Sequence, residues 1–338
     1  MTDASETRLL RRRHWPLWLA LLLVGAAHAQ TCLSAADMDN SARTALETAA
    51  QRYFQMSVRG DTAALRQNSI ALLAANFGAI EDAVKDNQAA FTNAQASVRP
   101  PYLLETEGSQ PLARAEFLCG VFGKSGQTAN SAVFVLNNLP PGRYGVAILD
   151  VSGGQEPRTL TLVMQQLLGE WKLAGYYVRS PQACGHDGAW YAHRARDFKA
   201  KSQLHNSWLY DREAIALTAP VDFMSTLATD KLYDETQAVE PNDMPANGNA
   251  VDLSAGGRTY RWTEIFPRPV GNDLDVVVKY DSPDISSTQK TFEQNTQVIK
   301  ALVAKFPELR DAFAAVVARA VDPSGHDYGS LLPMKEIK

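Results

Sequence analysis

The sequence predicts an α+β protein, because helical and strand patterns occupy separate stretches of the chain. After residue 29, apolar side chains recur at three- and four-residue spacing to about residue 96, which is the period of an amphipathic helix. From residue 102 to 178, β-rich runs alternate with glycine and proline turns, as in an antiparallel sheet. Helices that precede a long antiparallel sheet are expected to pack on one of its faces.

The N-terminal segment has the form of a secretory signal peptide. Arginines within residues 8–13 precede an apolar run from Trp15 to Ala27, and Ala27-His28-Ala29 is a small-x-small cleavage pattern. The apolar run is shorter than the roughly 20 residues that a membrane-spanning helix needs, so cleavage after Ala29 is favoured over an anchor. We therefore expect export, to the periplasm or outside the cell, and no membrane span once residues 1–29 are removed.

Net charge argues against one class of partner. The formal net charge is −4, and loss of residues 1–29, with four arginines against Asp3 and Glu6, makes it −6. An acidic chain has no global electrostatic reason to bind nucleic acid, so none is expected as a partner.

The cysteines permit one disulfide without identifying it. Export favours disulfides, but Cys32, Cys119 and Cys184 can form only one bridge within the chain. Cys119 is also explained as a small buried side chain in an apolar run. The chain has no Cys-x-x-Cys pair, so neither a structural zinc site nor a thioredoxin-like motif is expected.

The first helices follow from apolar spacing. A long helix is predicted from Ser34 to about Val58, where Gly60-Asp61 ends the pattern. A second helix follows it, and a third is predicted over residues 76–96, closed by Pro100-Pro101. The apolar face of the long helix comprises Ala42, Ala45, Leu46, Ala49, Ala50, Tyr53 and Phe54.

Six β-rich runs follow, separated by turn residues, and we expect them to form one antiparallel sheet. They span residues 102–106, 115–122, 132–137, 144–151, 160–168 and 171–178.

Two stretches within residues 42–179 resemble the NTF2-like family, an α+β cone. One is YFQMSVRGDTAAL, from Tyr53 to Leu65, and the other is the closing GEWKLAGYYV, from Gly169 to Val178. The resemblance implies an apolar cavity between the long helix and the concave sheet, and its candidate lining residues are Tyr53, Phe54, Trp171 and Tyr177. A small apolar ligand would bind there.

The same resemblance does not imply an activity, because that fold hosts both enzymes and non-catalytic modules. Enzymes of the family often place an Asp-His or Tyr-Asp pair in the cavity. Asp61 and Asp150 are available acids, but no histidine falls within residues 42–179, which counts against the acid/base version of the site.

A helical connector is predicted over residues 184–240. Two helices joined near Ser202-Gln203 account for its pattern, and a further helix is expected over residues 221–235. The hairpin resembles a single tetratricopeptide-type repeat, with Ser207-Trp208 departing from that pattern. One such hairpin does not bury its own faces, so it is expected to pack on its neighbours. The residues that carry this resemblance are Tyr191, Ala195, Phe198, Ala214 and Pro220.

A linker over residues 241–249 leads to a small α+β module, residues 250–338. Strands are predicted over residues 258–265 and 274–280, a helix over 284–305 and a short helix over 307–313. Residues 316–321 fit either a strand or a continued helix, and residues 322–333 read as a loop. With the NTF2-like unit assigned to residues 30–183, this completes the predicted domain order.

Gly185-His186-Asp187-Gly188 is the sharpest local signal for chemistry. We expect Asp187 to cap the following helix and His186 to bond a backbone carbonyl. A catalytic His-Asp pair is the alternative, since an imidazole steered by a carboxylate is a serviceable general base. A metal site shared with His193 requires His186 to be helical and is less favoured, so no metal or cofactor is expected.

Recognised catalytic motifs are missing from the sequence. It contains no His-Glu-x-x-His, Gly-x-Ser-x-Gly, P-loop or dinucleotide fingerprint. The aromatic set of Trp190, Tyr191, Trp208 and Tyr210 is interpreted as hairpin core rather than a sugar-stacking platform.

The functional expectation is therefore an exported, non-catalytic envelope protein that binds a small ligand or a protein partner. Two alternatives stay open: an assembly role without a ligand, and an enzyme of hydrolase or isomerase type.

Overall fold

The computed structural model describes residues 30–122 and 126–338, and it confirms the α+β class. The expected signal peptide, residues 1–29, lies outside the described residues. Within them, no helix combines the length and apolar character that crossing a bilayer requires.

The N-terminal unit begins with one short strand and five helices. Asp39 begins the long helix, because its carboxylate accepts the Ala42 N–H at 2.8 Å. The predicted start at Ser34 is wrong, since Ser34 and Asp37 form a hydrogen-bonded turn ahead of that helix. The elements are β1 (Gln30–Leu33), α1 (Asn40–Val58), α2 (Thr62–Gln67), α3 (Ala71–Ala75), α4 (Gly78–Asp86) and α5 (Gln88–Phe91).

The third predicted helix, residues 76–96, is also wrong in extent. It breaks at Asn87, whose side-chain amide donates to the Ala83 carbonyl and so terminates α4. Asn93 then adopts a left-handed φ of 60°, and Gln95–Val98 becomes a strand, β2.

The long antiparallel sheet predicted from the sequence is divided into two sheets. The strands are β3 (Tyr102–Thr106), β4 (Leu112–Cys119), β5 (Ala132–Leu139), β6 (Gly142–Ser152), β7 (Arg158–Leu167), β8 (Glu170–Arg179) and β11 (Met224–Thr226). One sheet has the order β1-β3-β6-β7-β8, with β2 also paired to β6, and the other has the order β11-β5-β4.

The larger sheet is buried on both faces. The helices cover one face through an apolar cluster that includes Leu46, Phe54 and Leu162. The smaller sheet covers the other face through a cluster that includes Phe117 and Phe134. Consecutive buried residues along β6 follow from this arrangement, because both faces of that strand lack water.

A disulfide joins the two sheets of this unit. Cys32 on β1 is bonded to Cys119 on β4, with 5.0 Å between their Cα atoms. Cys184 forms no disulfide with a described residue. The structure thus selects one of the pairings that the sequence left open.

Two consecutive helices follow β8 in the chain, and they are called the hairpin below. It consists of α6 (Gly188–Ala200) and α7 (Leu204–Thr218), and it follows the two-residue strands β9 (Gln182–Ala183) and β10 (His186–Asp187). A Cβ at Gly188 would lie 2.4 Å from the Thr218 hydroxyl oxygen, so the helices approach closely where only glycine fits.

The helix predicted over residues 221–235 begins later. It is α8 (Leu227–Gln237), because Thr226 and Thr229 form a capping box at its start. Residues 224–226 pair with β5 instead, as strand β11.

The C-terminal module is a five-stranded sheet whose strands lie side by side in chain order, with one long helix. Residues 316–321 form a strand, and it runs parallel to the strand Asp273–Asp281. The loop predicted over residues 322–333 is wrong, since Asp327–Pro333 pairs antiparallel with Ala315–Val321. Its elements are β12 (Val251–Ala255), β13 (Arg258–Val270), β14 (Asp273–Asp281), α9 (Thr288–Lys305), β15 (Ala315–Val321) and β16 (Asp327–Pro333).

The hairpin and this module share one apolar cluster. Phe198 and Leu209 of the hairpin belong to the same cluster as Trp262 and Val298 of the module. The hairpin therefore buries apolar side chains against the C-terminal module.

Candidate functional site

Asp187 caps α6, as the sequence predicts. Its carboxylate accepts the Trp190 N–H at 2.9 Å. His186 does not bond a backbone carbonyl among the described residues. Its exposed ring instead stacks on the Trp190 indole, with the ring centres 3.7 Å apart and the planes 5° from parallel. The carboxylate is thus engaged with the helix N-terminus rather than with the imidazole.

The metal alternative at this junction has no geometric support. His186 lies in β10, before α6 begins, so it does not share a helical face with His193. His193 Nδ1 instead lies 3.4 Å from Asp197 Oδ2. Within residues 30–122 and 126–338, no group of three or more histidine, cysteine or acidic side chains is arranged to hold a metal ion.

Three of the four residues predicted to line the cone lie together on the helix side of the larger sheet. Tyr53 and Phe54 are fully buried, and Trp171 is 8% exposed. The Tyr53 hydroxyl donates to the Trp171 carbonyl at 2.8 Å, and the Phe54 ring meets Phe91 edge-on. Tyr53 and Phe54 are therefore packing core between α1 and the sheet, whereas Trp171 also borders an open pocket of about 750 Å³ beside α1.

Tyr177 is separated from those three. The pairing of β7 with β8 shifts register between Val163 and Met164, which leaves Ala174 as an extra residue on β8. Counting by twos from Trp171 places Tyr177 on the helix face, but the bulge turns it to the opposite face. There it is 41% exposed and contacts Phe223.

Tyr176 takes the position that the sequence assigns to Tyr177. Its hydroxyl donates to the Ser57 hydroxyl at 2.9 Å. Burial raises the pKa of the Tyr176 phenol well above its usual value. The neutral phenol is therefore a structural hydrogen-bond donor in the core of this unit.

A groove of about 600 Å³ lies between α7, α8, the linker and β13, and we name it the junction groove. Its floor is apolar and its rim is polar. The floor includes Trp208, Ile215, Ile265 and Phe266, and the rim includes Arg212, Tyr233, Gln237, Glu240, Asn247 and Glu264.

Arg212 is the positively charged residue that lines the junction groove. Its guanidinium lies 4.7 Å from the ring centre of Trp208, and Nη1 donates to the Ile265 carbonyl at 2.5 Å. Within the part of the chain that the structure describes, no carboxylate lies within 4.0 Å of it. Burial lowers the pKa of Arg212, and the charges of Glu264 and Glu240 oppose that effect.

Both acids on the rim have other partners. Asn247 donates its amide to Glu240 at 2.9 Å, and the Lys279 ammonium lies 2.9 Å from Glu264. Arg212 therefore keeps donors for an acceptor from outside the protein, since a guanidinium carries several N–H groups in a planar fork.

Sequence reasoning did not identify this groove. The one local signal is the spacing of Trp208 and Arg212, which places a cation over an aromatic ring one helical turn away. The remaining walls come from the linker and from β13, so only the tertiary structure brings them together.

Comparison of the chain with protein-family models, with curated proteins and with solved structures finds no match.

Proposed function

We propose that this protein is an exported, non-catalytic binding protein of the cell envelope. Its ligand site is the junction groove, and its ligand is a small molecule that carries a carboxylate on an apolar body. The observation that carries this proposal is the Arg212 guanidinium, held by Trp208 and Ile265 without a carboxylate partner among the described residues.

The shape and lining of the groove support that ligand class. Ligand sites are commonly concave and apolar, with a few polar groups that fix orientation. A carboxylate bound by Arg212 leaves the ligand's apolar part against Ile215 and Phe266. Tyr233, 55% exposed at the rim, offers a ring for further contact.

The scaffold in this proposal is an NTF2-like cone over residues 42–179, followed by a tetratricopeptide-like hairpin. A long helix across an antiparallel sheet and a two-helix hairpin support it. Because Tyr53 and Phe54 occupy the interior of the cone, we assign the ligand to the groove beside the hairpin rather than to the cone.

Export in this proposal is supported by the Cys32–Cys119 disulfide, because such bonds persist in oxidising compartments. Cys32 follows the expected cleavage site closely, so the mature N-terminus would be tied to β4.

The test is ligand binding with pairs of probes that match in shape and differ in charge. We expect aromatic and aliphatic monocarboxylates, such as phenylpropionate and octanoate, to raise the melting temperature of the mature protein, while their primary amides do not. Arg212→Met should abolish the shift, and Arg261→Met, an exposed arginine on β13, should preserve it. Equal shifts from acids and amides, or an unaltered Arg212→Met variant, would refute the assignment.

An assembly role without a small ligand is the second candidate, and the filled interior of the cone favours it. Native mass spectrometry of the protein purified from its own host separates the two. A bound small molecule that is absent from the Arg212→Met variant supports the junction groove, and a co-purified stoichiometric protein partner with no small molecule supports assembly.

A further inference from the structure

A second cavity borders the neighbouring face of α7, between α6 and α8. Its volume is about 260 Å³, and we name it the polar cavity. Five side chains line it: Arg196, Lys199, Ser207, Asp211 and Glu235. They carry two positive and two negative charges, so the lining is balanced in charge.

Asp211 is the unexplained group in the polar cavity. The residue is 3% exposed, and its Oδ1 is buried without a hydrogen-bond partner within residues 30–122 and 126–338. Burial, together with the nearby charge of Glu235, raises the pKa of Asp211 to about 7. A native protein rarely leaves a buried carboxylate without a hydrogen bond, so the Asp211 carboxylate, which lines the cavity, points to a missing donor.

Of the other charged side chains in the cavity, two form an ion pair with each other and one has no ion-pair partner among the described residues. Arg196 and Glu235 form a two-pronged ion pair, with nitrogen-to-oxygen distances of 3.0 and 3.2 Å. Lys199 is exposed, and no described carboxylate lies within 4.0 Å of its ammonium. Once Arg196 and Glu235 neutralise each other, one cation and one anion remain for a ligand.

We propose that the polar cavity binds a free α-amino acid in its zwitterionic form. The ligand ammonium donates to the Asp211 carboxylate and to the Ser207 hydroxyl, and the ligand carboxylate is held by Lys199. This site is separate from the junction groove, and the proposal does not depend on the function proposed for that groove.

The size of the cavity limits the ligand. Liquid water occupies roughly 30 Å³ per molecule, so a volume of about 260 Å³ corresponds to about nine waters. A single amino acid with a small side chain fits that space, whereas a folded segment of another protein does not.

The test is isothermal titration calorimetry of the mature protein at pH 8. The probes are glycine, alanine and serine, compared with ethylamine and acetate, which each carry only one of the two charges. We expect at least one amino acid to bind with unit stoichiometry, about tenfold or more tighter than either single-charge probe. No binding of any of the three amino acids, or equal affinity for ethylamine, would overturn the proposal.

Variants assign the two ends of the ligand. Asp211→Asn should weaken amino-acid binding about tenfold or more, and Lys199→Gln should weaken it without weakening the binding of ethylamine. The control Asp234→Asn, at an exposed position on α8, should bind as the parent does. Unchanged affinity in both Asp211→Asn and Lys199→Gln would overturn the proposal, and circular dichroism confirms that each variant is folded.

Two further measurements test whether the amino acid binds in the polar cavity rather than in the junction groove, and whether Asp211 binds it. Arg212→Met should leave amino-acid binding unchanged, because Arg212 lines the junction groove and not the polar cavity. Affinity for the amino acid should also fall between pH 8 and pH 6, because protonation of Asp211, in a cavity whose other charged side chains are Arg196, Lys199 and Glu235, removes the negative charge that attracts the ligand ammonium. A flat pH profile would contradict the role of Asp211.

Discussion

Replacement of Asp211 by asparagine is expected to stabilise the protein at pH 8. The carboxyl has a pKa of about 7 in the folded protein, against 3.8 as its ordinary value. The folded state therefore holds this proton more tightly than the unfolded state does. Stability is lost as the pH rises from 3.8 through about 7, and the loss is complete above that value.

The magnitude follows from the shift. Each pKa unit corresponds to about 1.4 kcal/mol, so a shift of roughly three units makes ionised Asp211 cost up to about 4 kcal/mol at pH 8. Asparagine has nearly the shape of the protonated acid and carries no charge. The variant should therefore gain most of that free energy at pH 8 and almost none near pH 4.

The assay is urea unfolding followed by circular dichroism at pH 8, 6 and 4.5. The pH dependence of the variant should be weaker than that of the parent but not abolished, because burial also raises the pKa of Glu213 to about 7. Asp234→Asn, at an exposed site, provides the matched control. A variant that is less stable than the parent at pH 8, or that keeps the parent's full pH dependence, would refute the reasoning.

Two further predictions concern links between distant parts of the chain. Reduction of Cys32–Cys119, or a double alanine variant, should lower the free energy of unfolding by up to about 4–5 kcal/mol, since the bond closes a loop with a sequence separation of 87. Urea unfolding with and without reductant measures this loss. An unchanged unfolding midpoint would contradict the prediction. His205→Ala should cost about 2–3 kcal/mol, because the ring contacts Glu308 at 2.5 Å and Asp243 at 2.9 Å and so joins α7 to two other segments. His193→Ala, on an exposed ring, is its control and should change stability by less than about 0.5 kcal/mol.

Local patterns in the sequence predicted most of the helices. The apolar spacing on α1 and on the two helices of the hairpin depends only on residues that are close in the sequence, so it can be recognised without the tertiary structure. Asp187 is a similar case, because an N-cap acts on the backbone three residues along the chain.

Features that depend on distant pairing were not predictable in the same way. The division of the strands into two sheets depends on which strands pair, and the runs along β4 and β6 are alike in their β-rich composition. The bulge at Ala174 is one extra residue, yet it reverses the face on which Tyr177 lies. Alternation alone does not reveal such an insertion, so the assignment of Tyr177 to the cone interior was wrong.

The candidate sites were missed for a related reason. Asp211 and Arg212 look like ordinary polar residues of a surface helix, because the elements that cover them come from elsewhere in the chain. Only the packing of α8 and β13 on α7 shows that Asp211 is buried and that Arg212 is partly buried.

Consecutive charges on one covered helix have an energetic meaning. A charge removed from water without a partner is costly, and apolar replacements of buried ionic groups are often neutral or stabilising. Stability alone therefore gives no reason to keep Asp211 unpartnered beside one cavity and Arg212 without a carboxylate beside another. Ligands that offset these costs would explain both residues, and binding sites commonly trade stability for function in this way. If Asp211 binds the amino acid, the Asp211→Asn variant should show two opposite effects. It should unfold at a higher urea concentration than the parent at pH 8, and it should bind the amino acid about tenfold or more weakly.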